Sequence, residues 1–210
     1  RCLLSTMENL PPLIIVAGKT GSGKTEFLQQ FDQAIDLEGI ANHRGSAFGR
    51  HISVQPTQLN FENELSVNFL KLAQHPSILV EDEGRMIGKV HLPPPLQEKM
   101  QNAPIALLED SIEMRTERIY QEYIKLQWRE YEAHFEGRAA DEFSRYLIEA
   151  VDAIRKRLGN TAHSEVRGSV LAARKHQEQV GSLEGHRAGS YTHVRAHETP
   201  EQRGSRMLVE

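Results

Sequence analysis

The sequence predicts an α/β fold of the P-loop NTPase type, a parallel sheet flanked by helices, with a C-terminal helical extension and a poorly ordered tail. Three observations carry this prediction. The apolar run that starts at Leu13 leads into a G-x-x-x-x-G-K-T segment at 18–25, and a helical pattern follows. A second apolar run ends in three acids at 81–83. Strands and helices alternate along the chain, which is typical of a parallel sheet.

The spacing of apolar residues places each element in order. Strands are predicted from 13 up to the P-loop, and at 34–37, 77–83 and 105–108. Helices are predicted at 26–31, 61–73, 93–100, 111–135 and 143–158, the second with Asn60 as its N-cap. The segment 38–49 is polar and interrupted by glycines, and we interpret it as a loop that carries function.

Composition along the chain predicts four segments. They are a connector at 1–12, a P-loop α/β domain at 13–136, a helical extension at 137–185 and a disordered or atypical tail at 186–210. Hydrophobic residues thin out after Asn160, so the end of the chain offers little apolar surface to offset the entropy of ordering.

Charge and cysteine content narrow the class of protein. A formal net charge of −4 over 210 residues gives no global basic field, although a local basic patch would still serve nucleic acid. The single cysteine, Cys2, excludes an intrachain disulfide. No stretch predicts a signal peptide or membrane span, so we expect a cytoplasmic protein without a membrane partner. The chain begins with Arg1, which we interpret as the sign of a fragment or processed product.

The P-loop predicts a site for a diphosphate or triphosphate. Glycines let successive backbone N–H groups turn inward, and the positive end of the following helix dipole adds to the attraction. Lys24 is predicted to reach the terminal phosphates, and the Thr25 hydroxyl to hold Mg²⁺ if a metal is used. The predicted binding residues are Gly18, Lys19, Thr20, Gly21, Ser22, Gly23, Lys24 and Thr25.

Two further segments are candidates for chemistry. Glu81, Asp82 and Glu83 follow an apolar strand and resemble a Walker B element, although a solvated acidic loop is the alternative. His43 and Arg44 lie on the glycine-rich loop, where they would contact a phosphate or the acceptor, or form an ordinary polar surface. The pattern alone does not decide which of the three acids acts.

The helix predicted at 111–135 combines cations with aromatic residues. Cations such as Arg115 and Arg118 beside tyrosines and a tryptophan suit RNA, through phosphate contacts and stacking on unpaired bases. The aromatic residues also recur at a spacing of three to four, which indicates packing. The amide side chains of Gln55, Gln58 and Asn63 also allow two interpretations, hydrogen bonding to the edge of an RNA base or capping of a turn.

Several motifs in order resemble one known family. The P-loop is followed by Asp-Leu-Glu at 36–38, by Asn-His-Arg-Gly-Ser at 42–46 and by Val-Glu-Asp-Glu-Gly-Arg-Met-Ile-Gly at 80–88. Together they resemble the P-loop domain of tRNA 2-selenouridine synthase over roughly residues 1 to 160. Ordinary P-loop kinases do not share the block at 36–46.

The resemblance implies a tRNA-modifying transferase with two activities. It would transfer geranyl from geranyl diphosphate to the sulfur of wobble 2-thiouridine, and then use selenophosphate to form 2-selenouridine. The P-loop would hold a departing diphosphate rather than ATP, and the partners would be tRNA and a small-molecule diphosphate. Candidate catalytic residues are Lys24, Glu81, Asp82, His43 and Arg44, and candidates for the substrate or tRNA side are Asp36, Glu38, Ser46, Arg115 and Arg118.

The sequence departs from the family pattern at both ends. Family members carry an N-terminal rhodanese domain with a cysteine implicated in the selenium step, and Cys2 does not match that residue. We therefore expect impaired selenium transfer unless a rhodanese domain is supplied upstream or in trans. The aromatic-rich ending of the family is not recognisable after about His186. The alternatives are a P-loop kinase or NTPase acting on a small molecule or nucleotide, and an RNA-binding module that senses nucleotide.

Overall fold

The computed structural model of the protein describes residues 9–187. The predictions about Cys2 and about the tail beyond Arg187 lie outside the described residues. Six strands are present in this part of the chain: β1 (Leu13–Gly18), β2 (Ala34–Ile35), β3 (Ile78–Glu81), β4 (Met86–Ile87), β5 (Val90–His91) and β6 (Ile105–Leu108). Four of them form one sheet in the order β2-β3-β1-β6, and every neighbouring pair is parallel. The predicted fold class is confirmed.

The register of the sheet brings the functional ends of the strands to one edge. Val16 of β1 pairs with Glu81 of β3, and Gly18 at the end of β1 pairs with Leu108 of β6. Ile35 of β2 pairs with Val80. Because ligands bind at the carboxyl ends of strands in open parallel sheets, this edge is where a site is expected.

Helices cover both faces of the sheet in the first part of the chain. They are α1 (Lys24–Leu28), α2 (Leu37–Ala41), α3 (Gln58–Lys71) and α4 (Pro94–Gln101). On one face Ile15 and Val80 pack with Phe61 and Phe69 of α3, all four with no exposed surface. On the other face Leu28 of α1 packs with Val16 and Leu79. Burial of β1 and β3 on both sides explains their nearly unbroken apolar sequences.

The rest of the described chain is helical. It contains α5 (Ile112–Ile119), a π-helical segment (Tyr120–Leu126), α6 (Gln127–His134), α7 (Ala139–Ala153), α8 (Arg155–Leu158) and α9 (Asn160–Val180). Aromatic rings join α6 to α7, since Tyr131 lies 5.5 Å from the ring centroids of both Phe143 and Tyr146. Trp128 lies 5.7 Å from Phe143 in an edge-to-face arrangement.

Contacts divide the described chain into two compact units. The first comprises 9–19 and 23–109, and the second comprises 20–22 and 110–187. The division therefore falls after Glu109, whereas the sequence placed a boundary at 136. The difference has a physical reason, because the aromatic residues of α6 pack on α7 within the second unit. Among residues 9–187 there is no helix with the length and hydrophobicity needed to cross a membrane.

The structure corrects three local predictions. Helix α3 begins at Gln58 with Thr57 as its N-cap, not Asn60, since the Thr57 hydroxyl accepts from Asn60 N at 3.2 Å. The segment predicted as a loop from residue 38 begins instead with helix α2, which Asp36 caps through a 2.7 Å bond from Gly39 N. The strand predicted at 34–37 ends at Ile35 because that helix starts so soon.

Candidate functional site

Two positions of the P-loop have backbone conformations that favour glycine. Gly21 and Gly23 have φ angles of 78° and 84°, values that residues with a Cβ rarely adopt. A Cβ on Gly21 would lie 2.6 Å from the carbonyl oxygen of Arg115, so this position also needs glycine for space. Lys24 Nζ donates to the Gly18 carbonyl at 3.1 Å, which keeps the ammonium group against the loop.

Two arginines support the tip of this loop. Arg115 Nε donates to the Thr20 carbonyl at 3.1 Å, and Arg118 donates to the Gly21 carbonyl at 3.1 Å. Asp110 anchors Arg118 through a 2.5 Å ion pair. Arg115 is buried, with 3% of its surface exposed. Both arginines, which the sequence offered as tRNA contacts, thus hold loop carbonyls, and their contact with tRNA stays a prediction.

A buried hydroxyl in the loop fits a phosphate ligand. Ser22 is 8% exposed, and within the described part of the chain its Oγ has no hydrogen-bond partner. Buried polar atoms are rarely left without a partner, because desolvation costs about 1 to 3 kcal/mol. A phosphate oxygen is an acceptor that would satisfy this hydroxyl.

Carboxyl groups gather where β3 ends. Glu81 is fully buried, and it accepts from the Thr25 hydroxyl at 3.2 Å and from Glu38 N at 3.3 Å. The side chains of Glu38 and Glu83 are hydrogen-bonded to each other. We call these three residues, Glu38, Glu81 and Glu83, the carboxyl cluster. The sheet assembles it, because β2 and β3 are paired neighbours and their ends lie together.

Burial changes the ionisation of the carboxyl cluster. It raises the pKa of Glu38 and of Glu81 to about 8, and the pKa of Glu83 to about 7. The neighbouring carboxylates raise these pKa values further, while Lys24 opposes them. The bond between Glu38 and Glu83 raises the pKa of Glu38 and lowers that of Glu83. Glu38 is therefore the donor that keeps its proton, and Glu83 is the group that ionises first.

The other predicted acids have different positions. Asp82 follows the cluster in sequence but its side chain is exposed, and its backbone N–H extends the sheet by donating to Val16 O at 2.9 Å. Asp36 is the N-cap of α2. Gly45 approaches the cluster instead, since a Cβ at this position would lie 2.9 Å from both carboxylate oxygens of Glu83. Its φ of 45° also favours glycine.

His43 lies in the loop that follows helix α2, in a partly buried position. It forms an antiparallel bridge with Arg50, and its Nδ1 is buried without a hydrogen-bond partner among residues 9–187. Burial lowers the pKa of His43, and His51, Arg44 and Arg50 lower that pKa further by charge repulsion. The imidazole is consequently neutral at physiological pH. Ser46 contributes locally, because its hydroxyl accepts from Phe48 N at 3.2 Å.

The two glutamines named as candidates hold backbone rather than a base. Gln55 donates to the carbonyls of Ala41 and Ile87 and accepts from Lys89 N. Gln58 bonds both the N–H and the carbonyl of His91 at 2.9 Å. They fix the small β4–β5 hairpin, which the sequence analysis did not predict.

A divalent cation would find oxygen donors here. Thr25 and Glu81 present oxygens 3.2 Å apart, and oxygen is the donor that Mg²⁺ prefers. In the described ranges no group of three or more His, Cys, Asp or Glu side chains has the arrangement of a metal site. The residues present thus fit a cation whose remaining ligands come from phosphates and water.

These features define the class of protein. It is a P-loop protein with a buried carboxyl group, that of Glu81, at the end of β3, the strand that pairs with β1. A family profile described as the AAA domain of tRNA 2-selenouridine synthase matches residues 11–191. The chain is 42% identical over 195 residues to the tRNA 2-selenouridine synthase of Shewanella loihica, which covers 88% of this chain and 51% of that relative. It is 44% identical over 177 residues to the protein of the same name from Marinobacter nauticus, covering 82% and 48%.

The chain therefore belongs to the tRNA 2-selenouridine synthase family. It spans about half the length of these curated relatives. No solved structure matches it. The resemblance inferred from the motifs is confirmed.

Sequence reasoning missed part of the site. It named Glu83 among three acids at the end of a strand but left it out of the candidate catalytic residues, because its pairing with Glu38 depends on a contact across 45 positions of sequence. It also missed Arg50 and His51, which follow the recognised motif at 42–46. Their signal was the high density of basic residues in 43–51, where four of nine side chains are His or Arg.

Proposed function

We propose that this chain transfers the geranyl group of geranyl diphosphate to the sulfur of 2-thiouridine at the wobble position of tRNA. The observation that carries the proposal is the combination of an intact P-loop with the carboxyl cluster, joined through the Thr25–Glu81 bond. The P-loop is suited to bind a departing diphosphate, and the carboxyl cluster is suited to accept the proton that the thiouridine must lose. The family name supports tRNA as the substrate, since the relatives are tRNA 2-selenouridine synthases.

The P-loop would stabilise the leaving group. As the bond between geranyl C1 and the diphosphate oxygen breaks, negative charge grows on the diphosphate. Inward N–H groups and the Lys24 ammonium stabilise that charge without reorganising, which lowers the barrier. The buried Ser22 hydroxyl adds a neutral donor. No γ-phosphate is needed for this role, so ATP is not required by the chemistry.

The carboxyl cluster would take up a proton. When sulfur attacks C1, the C1–S bond forms, and the thiouracil ring must lose its N3 proton to remain neutral. Glu83 is suited to accept it, because its pKa of about 7 is close to the operating pH. Glu38 supports the ionised form of Glu83 through its hydrogen bond. The products are then S-geranyl-2-thiouridine, diphosphate and a protonated carboxyl group.

The selenium step forms the second half of the proposal. Selenophosphate would provide the selenium that replaces the S-geranyl group. A C2–Se bond would form as the C2–S bond breaks and geranylthiol leaves, and hydrolysis of the Se–P bond would release phosphate and give 2-selenouridine. We expect this step to depend on a rhodanese domain supplied with the chain or in trans. Mg²⁺, held by Thr25, Glu81 and the diphosphate, would neutralise charge on the leaving group. The proposed setting is the cytoplasm.

The test measures the product directly. Purified chain is incubated with geranyl diphosphate and an anticodon stem-loop that contains 2-thiouridine, and the digested RNA is analysed by mass spectrometry. A mass gain equal to a geranyl group on the thiouridine is expected, and an identical stem-loop with uridine is the control. Isothermal titration calorimetry compares geranyl diphosphate with ATP. No geranylation together with a strong preference for ATP would favour a P-loop kinase or NTPase instead.

A further inference from the structure

A closed loop follows helix α2, and we call residues 43–51 the basic loop. The backbone N–H of Arg44 donates to the Gly49 carbonyl at 2.9 Å, and Gly49 N donates to the Ser46 carbonyl at 2.9 Å. The antiparallel bridge between His43 and Arg50 joins the two ends. The Arg44–Gly49 bond is part of that bridge, so the loop is tied to itself at two points, this bridge and the Gly49–Ser46 bond.

The shape of the basic loop is fixed by close packing. A Cβ on Gly49 would lie 2.6 Å from the Arg44 carbonyl oxygen, so the closure depends on glycine. Phe48 anchors the turn, since only 6% of its surface is exposed. At the start of the loop Asn42 has a φ of 50°, and its amide donates to Ser53 Oγ at 2.8 Å. Such a loop fixes the backbone positions from which its arginines extend before any ligand arrives.

The basic loop concentrates positive charge in a chain that is acidic as a whole. It contains Arg44, Arg50 and two histidines, of which His43 is neutral at physiological pH, and no acidic residue, whereas the formal net charge of the protein is −4. The pKa of His43 is lowered by burial and then by His51, Arg44 and Arg50, so these side chains lie close enough to repel one another. Arg50 is exposed, and Arg44 and His51 are half-buried.

We propose that the basic loop binds the phosphate backbone of the RNA substrate, beside the nucleotide that is modified. This inference rests on the proposed function, because it names where that substrate is held. Arginine offers a planar fork that matches phosphate oxygens, and it positions nucleic acid without reading its sequence. Gly45, in the turn of the same loop, lies against Glu83. A strand held by the arginines would therefore pass close to the carboxyl cluster.

The open position of the basic loop favours a polyanion over a small phosphate. A small anion is held well where several donors enclose it, as in the P-loop, and Arg50 is exposed. A phosphodiester chain gains instead from each exposed cation, because binding releases condensed counterions. The ligand chemistry is thus an RNA backbone, and inorganic phosphate or selenophosphate is the competing possibility.

The experiment measures RNA affinity as a function of salt. Binding of the 2-thiouridine anticodon stem-loop is measured by fluorescence anisotropy between 50 and 300 mM salt, for wild type, Arg50→Met, Arg50→Lys and Arg44→Met. The logarithm of the association constant for RNA should decrease linearly with the logarithm of the salt concentration. We expect the magnitude of this negative slope to be smaller by about 1 in each methionine variant, with weaker binding at every salt concentration. Arg50→Lys keeps the charge and should keep the slope. Lys71→Met, on the last turn of α3, serves as the remote control.

The outcomes separate this inference from the proposed function. A slope unchanged in both methionine variants would overturn the basic loop as an RNA site, and so would failure of the wild type to bind the stem-loop. Displacement of the RNA by millimolar inorganic phosphate at constant ionic strength would point to a small-anion site and also overturn it. Loss of slope in a chain that does not geranylate RNA would support the inference and contradict the proposed function. Binding of pyrophosphate, followed by calorimetry, should be the same in the wild type and in the two Arg50 variants.

Discussion

Glu38 and Glu83 share one proton in a partly buried site next to the fully buried Glu81. Burial and the nearby carboxylates keep the pair from carrying two charges near neutral pH, and the bond between them assigns the proton to Glu38. Glu83 is then a base that is half ionised near pH 7. The identity of the reacting carboxylate thus depends on a neighbour that is far away in sequence.

Replacing Glu83 by Gln is expected to remove the proton acceptor and keep the volume. The rate of geranyl transfer at pH 7 should fall by about 10² to 10⁴, the usual contribution of a positioned base. Wild-type activity should rise with pH through about 7, the pKa of Glu83, and this rise should disappear in the variant. Rates at pH 6 to 9 measure both effects, with Glu98→Gln on α4 as the control. An unchanged pH profile would contradict the role of Glu83.

Replacing Lys24 by Ala is expected to weaken diphosphate binding. The variant loses a charge-assisted contact, which is typically about 1.5 to 3 kcal/mol and corresponds to about 10-fold to 150-fold in affinity. Calorimetry with geranyl diphosphate and with pyrophosphate measures the loss, and Lys99→Ala on α4 is the matched control. Equal affinity in wild type and Lys24→Ala would argue against the P-loop as the diphosphate site.

The sequence predicted these residues to different degrees for a physical reason. The P-loop residues from Gly18 to Thr25 are adjacent in the chain, so a local motif contains the whole cradle. The pairing of Glu38 with Glu83 depends on β2 lying next to β3, a contact that no local pattern records. The same holds for Gly45, whose need to be glycine arises from the approach of Glu83.

At the scale of elements, the β4–β5 hairpin depends on side-chain amides. Each of its strands has two residues, so periodicity offers no signal for it. Gln55 supplies two bonds to the hairpin, at 3.1 Å to the Ile87 carbonyl and at 2.9 Å from Lys89 N, and a third bond of 3.0 Å ties it to the Ala41 carbonyl of α2. Gly88 at the turn has a φ of 59°, and a Cβ there would lie 2.7 Å from the His43 ring. Strand β6 was predicted at its observed ends, and β1 from its observed start, because each has an unbroken apolar run.

Gln55→Ala is expected to destabilise the first unit by about 1 to 3 kcal/mol, because partly buried backbone groups lose their partner. Urea unfolding followed by circular dichroism measures the change in the free energy of unfolding. Gln101→Ala, at the exposed end of α4, should change it by less than about 0.5 kcal/mol. A loss for Gln55→Ala no larger than for Gln101→Ala would show that the amide does not hold the hairpin.

At the scale of the whole molecule, each unit contains titratable side chains that are largely buried. Those of the first unit lose their contribution to stability as pH rises, and that of the second unit loses its contribution as pH falls. The carboxyl cluster has pKa values raised from 4.5, so its contribution to stability is complete below about pH 4.5. That contribution is lost as pH rises through about 7 to 8. In the second unit, burial and His176 lower the pKa of His186 from 6.5 to about 4. Its contribution is present above pH 6.5 and is lost as pH falls through 4.

Between about pH 4.5 and 6.5 the two contributions to stability therefore oppose each other, and above pH 6.5 only the loss of the carboxyl contribution remains, so stability should decline towards alkaline pH. The His186 shift corresponds to about 3 kcal/mol, since one pKa unit is about 1.4 kcal/mol. Urea unfolding at pH values from 4 to 8.5 measures this. His186→Leu should flatten the acid side, and Glu38→Gln, which keeps a donor for Glu83, should flatten the alkaline side. Persistence of both slopes in the two variants would assign the pH dependence to other groups.

The register that pairs Val16 with Glu81 has a consequence for how this family tolerates insertions and deletions. Successive side chains of a strand point to opposite faces of the sheet. Removing one residue from β3 would therefore move Asp82, whose side chain is now exposed, into the position where Glu81 meets Thr25. The apolar side chains before it would change faces as well. The number of residues between the start of β3 and its final carboxylate is consequently under as strict a constraint as the carboxylate itself, and length variation should concentrate in the loops.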